Sequence, residues 1–478
     1  MAGTYARTTD VLVIGGGPGG YMAAIRLGQL GRKTILVEKD RLGGECLNRG
    51  CIPSKALIYA SELYHRVRTD GETLGVVASG LRFDLARTMA WKESVVQKEQ
   101  QGVASLLRSA GVTVLPGEAR FSGPRSAILT GPDGGQERID FGHAVIATGS
   151  LPIPLRGFEP DGARVLTATD VLSLRSLPPS MLILGGGVSG CELGEFLARV
   201  GVSVTIVEMM DQLLPGMDPD LSRELTRRFE AMGVTIRTSS KATALDRSRP
   251  EELRLTVERK GASETLVGSA LFVTVGKRAD TRSLGLEEAG VATDPRTGGI
   301  LVDDQNRTNV PTIFAVGDVG RPPMLAHKAY REGILAAEAI AGMPVRWSYQ
   351  AIPSVVFTEP ELASVGWTLE EARRHGGNPR EVRFPYAALG RAHANRATDG
   401  WVKLVGDEAT GLLLGVHAAG VSAGELIAEA GLALEMAATV RDIAGTIHAH
   451  PTYGELLQEV ALLWLGEPMH VARRPAGR

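Results

Sequence analysis

Cysteine is scarce in this chain, at 3 of 478 residues. So few cannot build the disulfide framework that holds small secreted domains together. Neither sign of charge is in excess, since 52 Lys and Arg stand against 54 Asp and Glu, for a net charge of −2. No global field exists to hold nucleic acid or an anionic membrane surface, and partners must be recognised locally. Long apolar runs are missing as well. Arg26 and Glu425 interrupt the two longest uncharged stretches before either reaches the ~18 residues of a membrane span. Met1 to Thr9 lacks an apolar core and runs into a strand expected from Asp10, so neither a secretory signal nor a long transit peptide is read. The expectation is a soluble, cytoplasmic protein with no nucleic-acid or membrane partner.

What is present reads as globular. Hydrophobic residues make up 44% and charged residues 22%, far from the signature of disorder. At ~150 residues per domain the length suggests about three domains. Glycine is the excess, with 59 positions, or about 12% where ~7% is usual. That implies tight turns or close backbone approaches to ligands.

The glycines cluster in two matching places. Asp10-Val-Leu-Val-Ile14 is a short β-type run, followed by Gly15-Gly-Gly-Pro-Gly-Gly20, a helical pattern from Tyr21 to Leu30 and a second β run, Thr34 to Glu38. The grammar recurs as Met181 to Leu184, Gly185-Gly-Gly-Val-Ser-Gly190, a helix from Cys191 to Val200, and Ser203 to Glu208. Glu38 follows Gly15 by 23 residues, and Glu208 follows Gly185 by the same 23. Two βαβ dinucleotide sites are the natural reading, with plain βαβ turns as the alternative. Gly15 and Gly185 would permit the tight turn, Gly17 and Gly187 would let backbone approach a pyrophosphate, and Gly20 and Gly190 would allow close helix packing. The carboxylates of Glu38 and Glu208 would take ribose hydroxyls. Met209 and Met210 stand beside Glu208, with no arginine, which favours NAD over NADP.

The chemistry concentrates in Gly43-Gly-Glu-Cys46-Leu-Asn-Arg-Gly-Cys51-Ile-Pro-Ser-Lys55. On a regular helix two residues five apart have Cα atoms about 8–9 Å apart, beyond the ~7 Å limit of an undistorted disulfide. If the two thiols pair, the helix must be distorted, and Gly50 and Pro53 supply the means. Buried structural thiols are one alternative and zinc another, although further ligands at metal spacing are lacking. Cys191, alone on the second helix, reads as a packed core thiol. A redox dithiol beside a nicotinamide site needs an electron carrier between them, and a flavin serves that purpose. Lys55, one turn past Cys51, is either a surface lysine or a cation that stabilises thiolate and flavin anion, with Glu192 as its candidate partner.

A third group is His448-Ala-His450-Pro-Thr-Tyr-Gly-Glu455. A histidine and a glutamate around a proline turn can act as base and orienting carboxylate. A metal fragment, or a cap on a helix beginning near Thr452, are the alternatives. Elsewhere, the proline breaks Leu151-Pro-Ile-Pro154 and Leu177-Pro-Pro-Ser180 suggest a boundary near residue 150. Val310 to Asp318 reads as a buried strand ending in glycine and a carboxylate. From Ile352 onward, Trp401 to Val405 and Leu412 to Val416 suggest an antiparallel sheet, and Ala423 to Thr439 an amphipathic helix. Arg473 to Arg478 reads as a solvated tail.

Taken in order, these motifs resemble the class I pyridine nucleotide–disulfide oxidoreductases. Further strings carry the likeness: Ala147-Thr-Gly149, Leu213-Leu-Pro-Gly-Met217, Ala315-Val-Gly-Asp318, Met324-Leu-Ala-His327 and Phe357 to Gly366. The resemblance implies an α/β fold of two Rossmann-like dinucleotide-binding domains plus a C-terminal α+β dimerisation domain. It divides the chain into FAD (1–150), NAD (151–280), central (281–350, completing the FAD site) and interface (351–478) domains of a homodimer. It implies FAD held by Gly15, Gly17, Gly20, Glu38, Lys39, Gly44, Lys55, Ala119, Thr148, Gly149, Ser150, Asp318, Met324, Leu325, Ala326 and His327. NAD falls to Gly185, Gly187, Val188, Gly190, Glu192, Glu208 and Gly276. Cys46 is similar to the thiol that meets substrate and Cys51 to the thiol beside the flavin. His450 of the partner subunit is similar to the family's base and Glu455 to its orienter, with Lys55 and Glu192 completing the catalytic set.

The reaction implied is FAD-dependent oxidation of protein-bound dihydrolipoyl groups to the lipoyl disulfide, with reduction of NAD. The partners implied are lipoyl domains of 2-oxo acid dehydrogenase or glycine-cleavage complexes. Glu45, Arg49, Tyr330 and Gly454 depart from the usual pattern, where threonine, a small apolar residue, an acidic residue and serine are common. Other members of the family, mercuric or glutathione reductase, compete with this reading. No cysteine follows Cys191, which tells against the first, and Glu208 tells against an NADPH enzyme. A redox-inactive scaffold would not need the intact Cys46/Cys51 pair.

Overall fold

The computed structural model describes residues 6–472, so the tail expected from Arg473 onward lies outside them. A first sheet takes up β1 (Ala6–Ile14), β2 (Thr34–Glu38), β3 (Thr113–Pro116), β4 (Glu118–Gly123), β5 (Ser126–Thr130) and β6 (Gln136–Ile146) in the order β3-β2-β1-β6-β5-β4. β1 runs parallel to both β2 and β6. Val11, Leu12, Val13 and Ile14 are all buried, because helices cover the Val11 and Val13 face of this central strand while β4 and β5 cover the Leu12 and Ile14 face, and this is why the run is continuously apolar. The helices are α1 (Pro18–Gln29), α2 (Gly44–Arg49), α3 (Cys51–Asp70) and α4 (Leu85–Ser109). β1 begins at Ala6 rather than Asp10, since the stretch ahead of the apolar run still pairs with β6 from Ala6↔Arg138 onward.

The chain then leaves this sheet through β7 (Ser150–Pro152) and returns through β16. Between them lie β8 (Val165–Leu166), β9 (Ser180–Leu184), β10 (Ser203–Val207), β11 (Thr235–Arg237), an antiparallel flap of β12 (Lys241–Asp246), β13 (Leu253–Arg259) and β14 (Ala262–Gly268), and β15 (Ala270–Val273). A second sheet has the order β11-β10-β9-β15-β8, flanked by α5 (Ala168–Val171), α6 (Val188–Arg199) and α7 (Pro219–Ala231). β16 (Lys277–Ala279) pairs antiparallel with β7, so the outgoing and returning crossings form one two-stranded ribbon. After α8 (Leu286–Ala289), β17 (Ile313–Ala315) inserts beside β6, parallel to it, and α9 (Ala326–Ile340) packs on α1.

The last sheet is antiparallel, with β18 (Ser354–Val356), β19 (Leu362–Gly366), β20 (Pro379–Pro385), β21 (Trp401–Asp407) and β22 (Leu413–Ala419) in the order β18-β19-β22-β21-β20. Its helices are α10 (Leu369–Arg374), α11 (Gly390–Ala394), α12 (Ala423–Glu435), α13 (Val440–Gly445) and α14 (Glu455–Leu465). α12 stops at Glu435 rather than Thr439, because Thr439 and Asp442 form a capping box that starts α13. α14 runs from Glu455, just past the start expected near Thr452, and the Glu455 carboxylate reaches back to hold the Thr452 N–H at 2.8 Å, as a helix's first turn does with the amide ahead of it. No helix among the described residues is long and apolar enough to cross a membrane.

Candidate active site

The candidate residues gather at the carboxyl ends of parallel strands, where open α/β sheets bind ligands. Glu38 ends β2, and Gly15, Ala147 to Gly149 and Gly317 follow β1, β6 and β17 of the first sheet. Gly185, Glu208 and Gly276 follow β9, β10 and β15 of the second. Gly15 and Gly185 have φ of +102° and +114°, which only glycine adopts without strain. A Cβ on Gly20 would stand 1.8 Å from the Gly15 carbonyl oxygen, and one on Gly190 2.0 Å from that of Gly185. Both turns therefore require glycine on both sides of the contact.

α1 and α6 start without a side-chain cap and with no acidic residue in the first turn. Their first amides and positive dipole ends are left for an anion. A Cβ on Gly187 would meet nothing within 4 Å, so the space above that turn is open. Glu38 and Glu208 behave as a matched pair. Glu38 accepts the Gly16 and Asp40 N–H groups at 2.6 and 2.8 Å, and Glu208 those of Gly186 and Met210, both at 2.7 Å. Each carboxylate thus braces its own glycine turn first and keeps lone pairs for a ribose. Burial pushes the Glu38 carboxyl up, against the Gly16 N–H and the Lys39 and Arg49 charges that pull it down.

Around the first turn, Thr148 donates to the Asp280 carbonyl at 2.7 Å and Lys39 lies 3.4 Å from the Asp280 carboxylate. Ser150 donates to Asp318 at 2.6 Å, and Gly149, at φ +75°, has open space where a Cβ would be. Leu325 starts α9, with Met324 exposed before it, Ala326 half-buried after it, and the His327 ring 2.8 Å from the Pro353 carbonyl oxygen. The structure does not bring the Ala119 side chain here. It is buried in the core beneath β4, so only its main chain could face a ligand. At the second turn Val188 is exposed at the start of α6, and the Gly276 carbonyl accepts the Ile153 N–H at 3.0 Å.

Cys46 and Cys51 form a disulfide with Cα atoms 4.7 Å apart. The distortion that this requires is a full break, α2 ending at Arg49 and α3 beginning at Cys51, with Gly50 between them at φ −139°, ψ −105°. Pro53 fits the same break, since in an unbroken helix its ring would clash with the Arg49 carbonyl, where α2 ends. It sits in the first turn of α3, where its missing N–H has no helical partner to lose. The disulfide lies beside the first cradle, because a Cβ on Gly44, which opens α2, would stand 2.6 Å from the Gly17 Cα.

One turn into α3, the Lys55 ammonium is 2.7 Å from Glu192. Glu192 is buried, and its other oxygen accepts the Phe357 N–H at 2.9 Å. The ammonium also stands 4.5 Å over the Phe357 ring, a cation–π contact. Glu192 therefore has one oxygen on Lys55 and the other on the 357 segment. The His450 ring lies 2.8 Å from Glu455 through Nδ1, with its side chain 77% exposed, so Nε2 faces outward. The Glu455 carboxyl is held below its usual value, because hydrogen bonds from His450 and the Thr452 N–H outweigh its partial burial. His448 is occupied otherwise, by Glu429 at 2.9 Å and the Thr446 carbonyl at 3.0 Å, which accounts for it without a metal.

Sequence reasoning missed Asp280 and Phe357, whose contacts come from segments more than 100 residues away and leave no local signal. Three of the four departures also find partners, and the fourth, Gly454, only leads into a helix. Glu45 pairs with Lys277 on β16, and Arg49 with Asp40. Tyr330 packs against Tyr21 at 5.9 Å between centroids, and Gly454 precedes α14.

Two uncapped glycine turns, the Cys46–Cys51 disulfide at the foot of the first and an exposed His–Glu pair define a redox protein of the nucleotide-binding disulfide class. The pattern of the Pyridine nucleotide-disulphide oxidoreductase family matches residues 9–333, and that of its dimerisation domain matches residues 352–461. The chain belongs to this family, and the family uses FAD and NAD. It is accordingly an enzyme, a flavoprotein disulfide oxidoreductase. Within the family it is similar to the dihydrolipoyl dehydrogenase of Bacillus subtilis, 44% identical over 474 residues, 99% of this chain and 100% of that protein. The dihydrolipoyl dehydrogenase of Thermus scotoductus is 44% identical over 470 residues, 98% of this chain and 100% of that one. Among solved structures it is similar to LpdA from Mycobacterium tuberculosis, with a TM-score of 0.89 at 27% identity, covering 95% of this chain and 99% of that one. The HOCl-induced flavoprotein disulfide reductase RclA from Escherichia coli, solved as a Cu(II) complex, gives 0.85 at 26%, covering 96% and 99%.

Proposed function

We propose that this enzyme oxidises protein-bound dihydrolipoyl groups to the lipoyl disulfide and reduces NAD. The observation that carries the reading is the Cys46–Cys51 disulfide at the foot of the first glycine cradle, one helical turn from the Lys55–Glu192 pair. His450 of the partner subunit takes a proton from one substrate thiol, and Glu455 holds its tautomer and stabilises the imidazolium. The substrate thiolate attacks the Cys46 sulfur, the Cys46–Cys51 bond breaks, and Cys51 leaves as a thiolate beside the Lys55 cation. The second substrate thiol closes the lipoyl disulfide and releases Cys46, so two electrons now reside on the enzyme dithiol. Bound FAD supplies the two-electron link that delivers them to NAD as a hydride.

In this reading Gly15, Gly17, Gly20, Glu38, Lys39 and Gly44 hold FAD together with Thr148, Gly149, Ser150, Asp318, the 324–327 segment and the Ala119 main chain. Gly185, Gly187, Val188, Gly190, Glu208 and Gly276 hold NAD, with Glu192 on the same helix. The β7–β16 ribbon supports boundaries near 150 and 280. β17, added to the first sheet, supports a 281–350 segment that completes the FAD site, and the separate antiparallel sheet supports an interface domain from 351. Leu432, Met436 and Ile447, the last 95% exposed, are apolar surface in the region of the dimerisation match. A homodimer would cover them and deliver His450 to the neighbouring disulfide. Lipoyl domains of 2-oxo acid dehydrogenase or glycine-cleavage complexes are the partners that present such a dithiol, in the cytoplasm. The test is dihydrolipoamide-dependent NAD reduction by the purified yellow protein. Turnover with glutathione disulfide and NADPH but none with dihydrolipoamide would overturn the reading.

A further inference from the structure

The Lys55–Glu192 pair is the first rung of a longer construction on α6. One turn on, Glu195 is fully buried, and both its oxygens accept the Glu359 N–H at 3.0 Å. Glu192 accepts the Phe357 N–H in the same way. Two buried glutamate side chains on one helix thus hold two amides of a single short segment. The side chain of Glu359 is held in turn by Arg199 at 2.9 Å and Arg228 at 3.0 Å, so α6 and α7 grip the segment from the side-chain direction as well. Arg199 lies 3.3 Å from Glu195. From α3, which carries Cys51 and Lys55, His65 reaches the same cluster, where burial holds its ring below the ordinary value.

Stability alone is a poor reason for this cluster. Arg199 is 1% exposed, yet its Nε and Nη1 have no hydrogen-bond partner, and neither has the buried His65 Nδ1. Buried donors left unpaired are costly, and a buried ion pair often contributes less than an apolar replacement of similar volume. What the arrangement fixes is the place of Phe357. Its N–H fixes one side of Glu192 and its ring carries the Lys55 ammonium, so a slide of the segment displaces both members of that pair.

We infer that the Glu195–Arg199–Glu359–Arg228 network positions the 357–359 segment, and that Glu195 and Arg199 are positioning residues for the Lys55–Glu192 pair beside the disulfide. The inference rests on the placement of Lys55 and Glu192 in the reaction centre, and its test uses no lipoyl substrate, so failure of dihydrolipoamide turnover leaves it standing.

The experiment uses the FAD-loaded enzyme and the variants Arg199→Met, Glu195→Ala, Glu195→Gln and Glu192→Gln, read by amide hydrogen exchange and by the flavin midpoint potential. Arg199→Met and Glu195→Ala should speed exchange at the 357 and 359 amides about 10-fold or more and move the potential to more negative values, since a displaced Lys55 no longer stabilises the anionic reduced flavin. Glu195→Gln keeps an acceptor for the Glu359 N–H and should stay near wild type in both readouts. Combined with Glu192→Gln, the Arg199→Met shift in potential should shrink to nearly nothing, because coupled residues are not additive. Faster exchange with an unmoved potential, or shifts that add fully in the double variant, would overturn the inference. Should Arg199→Met not fold, the Glu195→Ala and Glu195→Gln comparison decides the matter by the same readouts.

Discussion

Alanine at Gly187 and at Gly190 should separate ligand contact from fold within one turn of α6. At Gly187 the backbone is extended, with φ −76°, and an added Cβ meets nothing within 4 Å. The folded protein should tolerate that methyl at a cost of about 1 kcal/mol or less, the difference between a glycine and an alanine N-cap. At Gly190 helix propensity alone would favour alanine by roughly 0.5–1 kcal/mol. The Cβ, however, would stand 2.0 Å from the Gly185 carbonyl oxygen. No flexible side chain is there to yield, so the cost should reach at least the upper part of the ~1–3 kcal/mol range of overpacking. The expected pattern is opposite in the two assays. Gly187→Ala should lower the unfolding midpoint in urea by no more than that small cost while losing about 10-fold or more in kcat/KM for NAD, because the methyl fills the space where a pyrophosphate must approach. Gly190→Ala should lower the unfolding midpoint and weaken NAD together, with FAD retained in both variants. A Gly187→Ala enzyme with unchanged kcat/KM for NAD would show that the nucleotide does not bind over this turn.

The remaining expectations follow from the same geometry. Cys51→Ser should abolish dihydrolipoamide turnover and retain FAD, and near-normal turnover would remove the dithiol from the mechanism. His450→Gln should lower turnover by about 10²–10⁴-fold, the range for a positioned general base, without loss of FAD or of the dimer; an unchanged rate would make the His450–Glu455 pair structural. The buried Glu208 carboxylate would face a 2′-phosphate as a like charge, so kcat/KM should favour NAD over NADP by about 100-fold or more, and equal values would show that Glu208 does not touch the ribose. Burial pushes Glu195 up to about 8 from 4.5. Between those values the folded state keeps the proton that the unfolded chain has lost, so stability should fall as pH rises through that window and level off above it. Urea midpoints between pH 5 and 9 should show that slope in the wild type and a shallower one in Glu195→Gln, and identical slopes would refute the assignment.

Much of the site was legible because its parts are local. Each glycine turn, its helix and its carboxylate lie within 23 residues, and the turn contacts between Gly15 and Gly20 or Gly185 and Gly190 are fixed by chain geometry. The disulfide was legible for the same reason, since five residues and a glycine leave few ways to bring two Cα atoms to 4.7 Å. Lys55 and Glu192 are 137 residues apart, and only their positions after two recognisable motifs suggested the pair. Asp280 and Lys277 carry no motif of their own, and Phe357, although it opens one of the strings that carry the family likeness, shows no local sign of its contact with Lys55 and Glu192. Each gains its role from where the β7–β16 ribbon or the start of the last sheet happens to return, and that is set by the global packing rather than by neighbours in sequence. The helix end at Thr439 was misread for a related reason, since hydrophobic period shows that a helix exists while caps decide where it stops.

α6 joins these two kinds of information. Its first turn, opened by glycines and left uncapped, is the local element that can hold an anion, and its second and third turns carry Glu192, Glu195 and Arg199 toward α3 and the 357–359 segment. Twelve residues at 1.5 Å each give a rod of about 18 Å, too short and too well packed to bend between its two tasks. The buried face that holds Lys55 is therefore rigidly tied to the uncapped end beside the second glycine turn. A chain that must pass two electrons from a dithiol to a nicotinamide gains from placing both ends of the path against a single helix, because any displacement that spoils one contact is then resisted by the other.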